Sequence, residues 1–326
     1  MAEVTRTYKV GQHPDLPPPR SEVGVIGWVK YNLLSTPFNV IMTLLALWFL
    51  WSIIPPLFEW AILDSVWTAE SRKACWAKME VPEGAACWAF IKDRIGLYTY
   101  GFYPADSRWR VNLSFVLLVL AIVSVLYENM PGRKFGLWYA VAFPFITGWL
   151  LVGGLGLTPV ETDQFGGIML TFIIGITGIS FSLPIGILLA LGRRSTLPVI
   201  RILCVLIIEF IRGVPLIALL FIASTMLNYF LPPGTAFDLL LRVLIMVTLF
   251  QSAYIAEVIR GGLQGIPNGQ YEAADSLGLT YAKSHLLIIL PQALKISIPG
   301  IVNTFIGLFK DTTLVLIIGM LDPLGV

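Results

Sequence analysis

Long runs without a single charge constrain this chain more than any other feature. Residues 38–58, 135–160 and 164–192 contain no Lys, Arg, Asp or Glu. About 20 apolar residues in a helix cross the hydrocarbon of a bilayer. Backbone amides and carbonyls find no partner in lipid, so such a run has to be helical. Further apolar runs follow the same rule with few charges. They are 111–127, 198–230 (with Arg201, Glu209 and Arg212), 239–259 (with Arg242 and Glu257) and 286–309 (with Lys295). A last run, 312–326, is shorter. The expected fold is all-α, a polytopic transmembrane helical bundle of about eight spans, seven full and one partial. A soluble domain could not hide this surface, since 56% of the residues are hydrophobic and only 13% charged. The lipid bilayer is therefore the first partner. A net charge of +2 argues against a nucleic-acid surface.

Basic residues orient the spans. Arg6, Lys9, Arg20 and Lys30 precede the first span, Arg133 and Lys134 follow the second, and Arg193 and Arg194 follow the fourth. The turn 158–164 holds Glu161 and Asp163 but no Lys or Arg. This predicts a cytoplasmic N-terminus. Residues 1–36 form a cytoplasmic segment, polar and proline-rich, with no cleavable signal peptide. Residues 37–160 form a peripheral three-span region with a long external loop (64–110), and 161–326 a second region. The run from Thr312 stops inside an apolar stretch, so a further piece of span is expected beyond it. Cys75 and Cys87 share the external loop: they form a disulfide if it faces an oxidising compartment, and are two free thiols otherwise. Their spacing fits no zinc site, and His13 and His285 are far apart, so no metal is expected.

Gly178, Ser182, Gly186 and Ala190 recur every fourth residue and form a small-residue stripe that lets another helix approach. Pro144, Pro184, Pro215, Pro291 and Pro299 lie inside spans, where each removes a backbone donor. Glu209 with Arg212, and Glu257 with Arg260, stand three residues apart, a spacing that allows an ion pair on one helix face. Two readings stay open for these four residues: structural pairs, or groups facing a substrate path or gate. Gln251, Ser252, Tyr254 and Thr312 are uncharged polar residues in spans. They bond either a substrate or a neighbouring helix. Lys310 and Asp311 mark an interface or a pair.

One hydrophilic segment between two spans has a helical pattern. In Glu272-Ala-Ala-Asp-Ser-Leu-Gly278, Asn268 is expected to cap the helix start and Glu272 to favour its positive end. Ala273, Ala274 and Leu277 are expected to share a docking face, with Asp275 and Ser276 beside it. Gly278 is a natural stop, and Thr280 caps a second short helix running through Lys283.

Four ordered blocks carry a family resemblance. They are Phe165-Gly-Gly-Ile-Met-Leu-Thr-Phe through Pro184-Ile-Gly-Ile-Leu-Leu-Ala-Leu-Gly-Arg-Arg194; Glu209-Phe-Ile-Arg-Gly-Val-Pro-Leu216; Tyr254-Ile-Ala-Glu-Val-Ile-Arg-Gly-Gly262; and the Glu-Ala-Ala block with Leu290-Pro-Gln-Ala-Leu294 and Lys310-Asp-Thr-Thr-Leu-Val315. Together they cover 165–315. This region resembles the integral permease of ATP-binding-cassette importers of the polar amino acid class. The added N-terminal spans resemble the longer (M-type) permease subunit of the general L-amino acid transport system.

The resemblance implies a type I importer permease core at 161–326, preceded by three extra N-terminal spans. It implies import of L-amino acids, with the segment at about 267–284 docking a cytoplasmic ATPase dimer through Glu272 to Gly278. A second, homologous permease subunit completes a heterodimer, and a periplasmic amino acid binding protein delivers substrate. The setting is a bacterial inner membrane. ATP and Mg belong to the ATPase: this chain has no Gly-x-x-x-x-Gly-Lys-Ser/Thr loop, no catalytic residue and no cofactor of its own. Two other readings are an ion-gradient-driven secondary carrier, which favours an internal repeat and buried mid-span charges, and a non-transporting sensor or scaffold.

Overall fold

The computed structural model describes residues 24–78, 84–127, 132–226, 229, 232 and 237–326. Arg6, Lys9, Arg20, most of the 1–36 segment, and Glu128 to Pro131 in the basic turn lie outside the described residues. The chain divides into two compact units, Met1–Asp93 and Arg94–Val326. Among the described residues every regular element is a helix.

In the first unit, α1 (Gly24–Asn32) leads into α2 (Pro37–Phe58). Proline at the first helical position lacks only an amide that would be orphaned anyway, and the Thr36 hydroxyl accepts from the Asn39 amide at 3.2 Å. At 1.5 Å per residue α2 is about 33 Å long, enough to cross a bilayer. None of its residues is buried, as expected of a helix surrounded by lipid. Pro55 and Pro56 interrupt the hydrogen-bond ladder near its end, and a π turn, Glu59–Leu63, follows. α3 (Arg72–Lys78) lies in the loop beyond. There the sulfurs of Cys75 and Cys87 are bonded, Val66 donates to the Ala86 carbonyl, and the Trp67 and Trp88 rings stack at 5.9 Å. The unit boundary falls within α4 (Trp88–Tyr100).

The second unit continues with α5 (Arg108–Leu126) and α6 (Arg133–Val152), an antiparallel pair. α7 (Gly167–Arg193) and α10 (Leu239–Gln264) form its centre. All four members of the small-residue stripe on α7 are buried. A Cβ at Gly186 would lie 2.6 Å from Cγ2 of Ile255, so the two backbones approach closer than any side chain allows. α10 is the most enclosed span, with 56% of its apolar window buried against 28% for α7. Its start is capped by Asp238, which accepts from the Leu241 amide. Arg242 is 8% exposed and donates to the Ala223 and Ser224 carbonyls. Those carbonyls belong to a π turn, Ile222–Met226, whose ladder is irregular.

The run 198–230, expected as one span, is a broken one. α8 (Pro198–Gly213) and the following helix, which begins with α9 (Leu216–Phe221), are bent by 102°. Pro215 has no amide to continue the ladder, and Val214 before it is extended (φ −102°, ψ 131°). After α10 come the short α11 (Asn268–Ser276) and α12 (Tyr281–Ser284), then α13 (Leu290–Asp311). The run expected as a partial eighth span continues α13 as a 3-10 helix, Thr312–Ile318. The described residues thus contain six helices long and apolar enough to cross a membrane, or seven with the bent pair.

Candidate functional site

Charged side chains from three helices meet at one carboxylate. Glu257 of α10, 14% exposed, lies 2.8 Å from Arg193 at the end of α7, 2.9 Å from Arg260 one turn further on, and 3.6 Å from Arg212 at the end of α8. Arg193 also reaches Glu209 of α8 at 2.7 Å. Arg212 places its guanidinium 5.5 Å from the ring centre of Tyr254, which lies tilted against the Phe250 ring at 4.8 Å. Three cations thus face two carboxylates.

The Glu257–Arg260 pair has the expected partners. The other expected pair does not form: Glu209 takes Arg193, and Arg212 takes Glu257. The reason is tertiary. The end of α8 lies against α10, so Arg212 is drawn to the less exposed carboxylate, while Glu209, 53% exposed, is reached by the cation at the end of α7. Arg193 did not stand out in the sequence because it reads as a topology marker beside Arg194.

Other polar candidates are occupied within the fold. Gln251 donates to the Thr304 carbonyl of α13 at 3.0 Å. Ser252 donates to Thr248 one turn back, and Thr312 to Phe309. All three are buried.

The hydrophilic segment forms a two-helix elbow. α11 starts after Pro267, whose carbonyl accepts from the Gln270 amide. Asn268 is therefore the first helical residue and not the cap. Its end is a Schellman closure. The Gly278 amide bonds the Asp275 carbonyl at 2.9 Å and the Leu279 amide bonds that of Ala274 at 3.2 Å. Gly278 sits at φ +68°, where a Cβ is unfavourable. Thr280 occupies the cap position of α12 without a side-chain bond.

The expected docking face is divided by the fold. Ala274 is wholly buried and turned toward the protein, whereas Glu272, Ala273, Asp275, Ser276 and Leu277 are exposed, Leu277 at 74%. Small size at Ala274 serves close packing beneath α11. The elbow is fastened by residues that the sequence did not single out. Arg194 donates to the Tyr271 hydroxyl and the Leu263 carbonyl, and Gln292 of α13 donates to Gln270. Tyr281 and His285 rings lie 3.9 Å apart.

Helices of bilayer length with a hydrophilic elbow between two of them define a polytopic helical membrane protein. The chain belongs to the family of binding-protein-dependent transport system inner membrane components, whose profile matches residues 182–326. It is 50% identical over 313 residues to the inner membrane amino-acid ABC transporter permease protein YhdY of Escherichia coli (strain K12), covering 95% of this chain and 83% of that protein. It is 45% identical over 371 aligned residues to the glutamate/glutamine/aspartate/asparagine transport system permease protein BztC of Rhodobacter capsulatus, covering 94% and 85%. A solved amino acid ABC transporter crystallised with histidines shares 32% identity over 48% of this chain and 72% of that one, with a TM-score of 0.43. The protein is a multi-pass inner-membrane permease of the amino-acid ABC transporter class, and nothing in these comparisons favours an ion-gradient carrier.

Proposed function

We propose that this chain is one permease subunit of an ATP-driven importer for acidic amino acids and their amides. The substrate class rests on the likeness to BztC over nearly the whole chain. A cytoplasmic ATPase dimer, holding ATP and Mg, docks on the exposed side of α11, formed by Glu272, Ala273, Asp275, Ser276 and Leu277. A second, homologous permease completes the path, and an external binding protein delivers the amino acid. The N-terminus lies in the cytoplasm.

One observation carries this reading: a short helix, closed by a left-handed glycine, keeps a row of small and acidic residues in water between two membrane spans. An isolated helix of nine residues is unstable in water. Its fastening to the spans gives a rigid handle. The knot of Glu209, Arg212, Glu257 and Arg260 with Tyr254 acts as a gate. Arg212, at 35% side-chain exposure the most open of its cations, is the one available to a substrate carboxylate. Gln251 ties α10 to α13, whereas the Ser252 and Thr312 hydroxyls bond carbonyls one turn back in their own helices.

Purification in mild detergent tests the assembly, with a nucleotide-binding subunit and a second permease expected to co-purify. Uptake of labelled glutamate, glutamine, aspartate and asparagine tests the substrate. Uptake that survives a block of ATP hydrolysis and collapses with the ion gradient would overturn the proposal.

A further inference from the structure

We infer that Arg193-Arg194, the dipeptide at the cytoplasmic end of α7, is the mechanical link between the ATPase-docking elbow and the charged gate. The inference rests on the reading of α11 as a docking element. Successive residues of a helix point about 100° apart, so two adjacent arginines reach two different sites. Arg193 reaches up into the knot, 2.7 Å from Glu209 and 2.8 Å from Glu257. Arg194 reaches across to the elbow. It donates to the Tyr271 hydroxyl at 3.2 Å and to the Leu263 carbonyl at 3.0 Å, with its guanidinium 5.6 Å from the centre of the Tyr271 ring.

The contact set is selective. Tyr271 is the half-buried residue of α11, next to exposed Glu272 and one turn before buried Ala274. Leu263 closes the last turn of α10, and its carbonyl accepts from both Arg194 and Tyr271. One guanidinium thus ties the ends of α7 and α10 to α11. Both bonds come from the one Nη1 nitrogen, and the planar guanidinium also faces the Tyr271 ring, a contact that the compact ammonium of lysine on a flexible stem matches poorly. Displacement of α11 shifts Arg194, and through the shared backbone Arg193, which alone touches both carboxylates of the knot. Gln292 to Gln270 is a second fastening, but it leads to α13 and not to the knot. Arg194 is therefore a positioning residue: it touches neither nucleotide nor substrate.

The test uses the complete importer, reconstituted in proteoliposomes with its ATPase, second permease and binding protein. Amino acid imported per ATP hydrolysed is compared for wild type, Arg194→Ala, Arg194→Lys and Tyr271→Phe. Tyr271→Phe keeps the ring and its packing and removes both hydrogen bonds of the hydroxyl, the one accepted from Arg194 and the one donated to the Leu263 carbonyl. The expected result is at least a tenfold fall in this ratio for Arg194→Ala and a smaller fall for the other two, with ATP hydrolysis retained. Ratios equal to wild type in Arg194→Ala and Tyr271→Phe overturn the link. So does a loss confined to Arg194→Ala in which hydrolysis, assembly and uptake fall together while Tyr271→Phe is normal, because that is a folding role. An Ala273→Cys crosslink to the ATPase in otherwise wild-type importer separates the two readings. Without a crosslink the docking role itself fails; with one, and with normal ratios, only the link fails.

Discussion

Arg193, in the last turn of α7, lies 2.8 Å from Glu257 of α10 and 2.7 Å from Glu209 of α8, so one guanidinium holds two carboxylates on two other helices. Glu257 in turn answers three arginines. Its neutralisation leaves these cations without their common partner in a poorly solvated place. Glu257→Gln is expected to lower stability by roughly 1–2 kcal/mol, below the range for a fully buried pair because its three arginines stay 22–35% exposed to solvent. Melting in detergent checks this, and uptake is expected to fall at least tenfold if the knot is the gate.

Gly278 has nothing within 4 Å of where a Cβ would stand, so a side chain there meets no obstacle. Only its φ of +68° resists substitution. Gly278→Val is expected to cost roughly 2 kcal/mol locally and to open the end of α11. Uptake per ATP hydrolysed should drop while the protein still inserts. Gly278→Asn, which tolerates the left-handed region, should stay close to wild type.

Neighbouring alanines on α11 should behave oppositely in crosslinking. Ala273 is exposed and Ala274 is 0% exposed. A cysteine at 273 should capture the ATPase under mild oxidation or with a short bifunctional reagent, and one at 274 should not. Equal capture from both positions would mean that α11 lifts away from the spans.

Cys75 and Cys87 are joined and Cys204 is free. Labelling the denatured, unreduced protein with a maleimide polymer should therefore add one mass step, and three after reduction. Three steps without reduction would remove the external, oxidising placement of the loop.

Asp322 follows the last helical turn. Burial pushes its carboxyl above the usual range, and the amides of Leu324 and Gly325, each 3.2 Å from Oδ1, offset this in part. A folded value above the unfolded one means that folding favours the protonated acid. Its contribution is complete at pH below the unfolded value and is lost as pH rises through the folded one. Asp322→Asn should flatten this part of the pH profile of melting, and an unchanged profile would show that the carboxyl is better solvated than its burial implies.

The order of the crossings was legible because the bilayer reads length and charge, and 38–58, 135–160 and 164–192 satisfy both tests along the chain itself; their number was not, since about eight were expected and the described residues hold six, or seven with the bent pair. The break at Gly213 to Pro215 was less visible. A proline in a span also occurs in α6, α7 and α13, where the helix continues through Pro144, Pro184 and Pro299. Neighbouring helices decide whether the freed carbonyls are satisfied in place or at a bend. The elbow was readable from Gly278, since a left-handed stop has few alternatives. Which alanine faced outward was not, because adjacent small residues carry no side-chain polarity to sort them.

A membrane-embedded helical bundle with a hydrophilic elbow, and the ordered blocks that mark its family, could be read along the chain, since these depend on local composition and spacing. Pairing came from the packing of the helices: Glu209 with Arg193 in place of Arg212, Arg194 with Tyr271, Ala274 inward and Ala273 outward. Charges and hydrogen bonds act over 3–4 Å, and which residues come that near depends on how α7, α8, α10 and α11 cross, a distance that spacing along one helix does not contain.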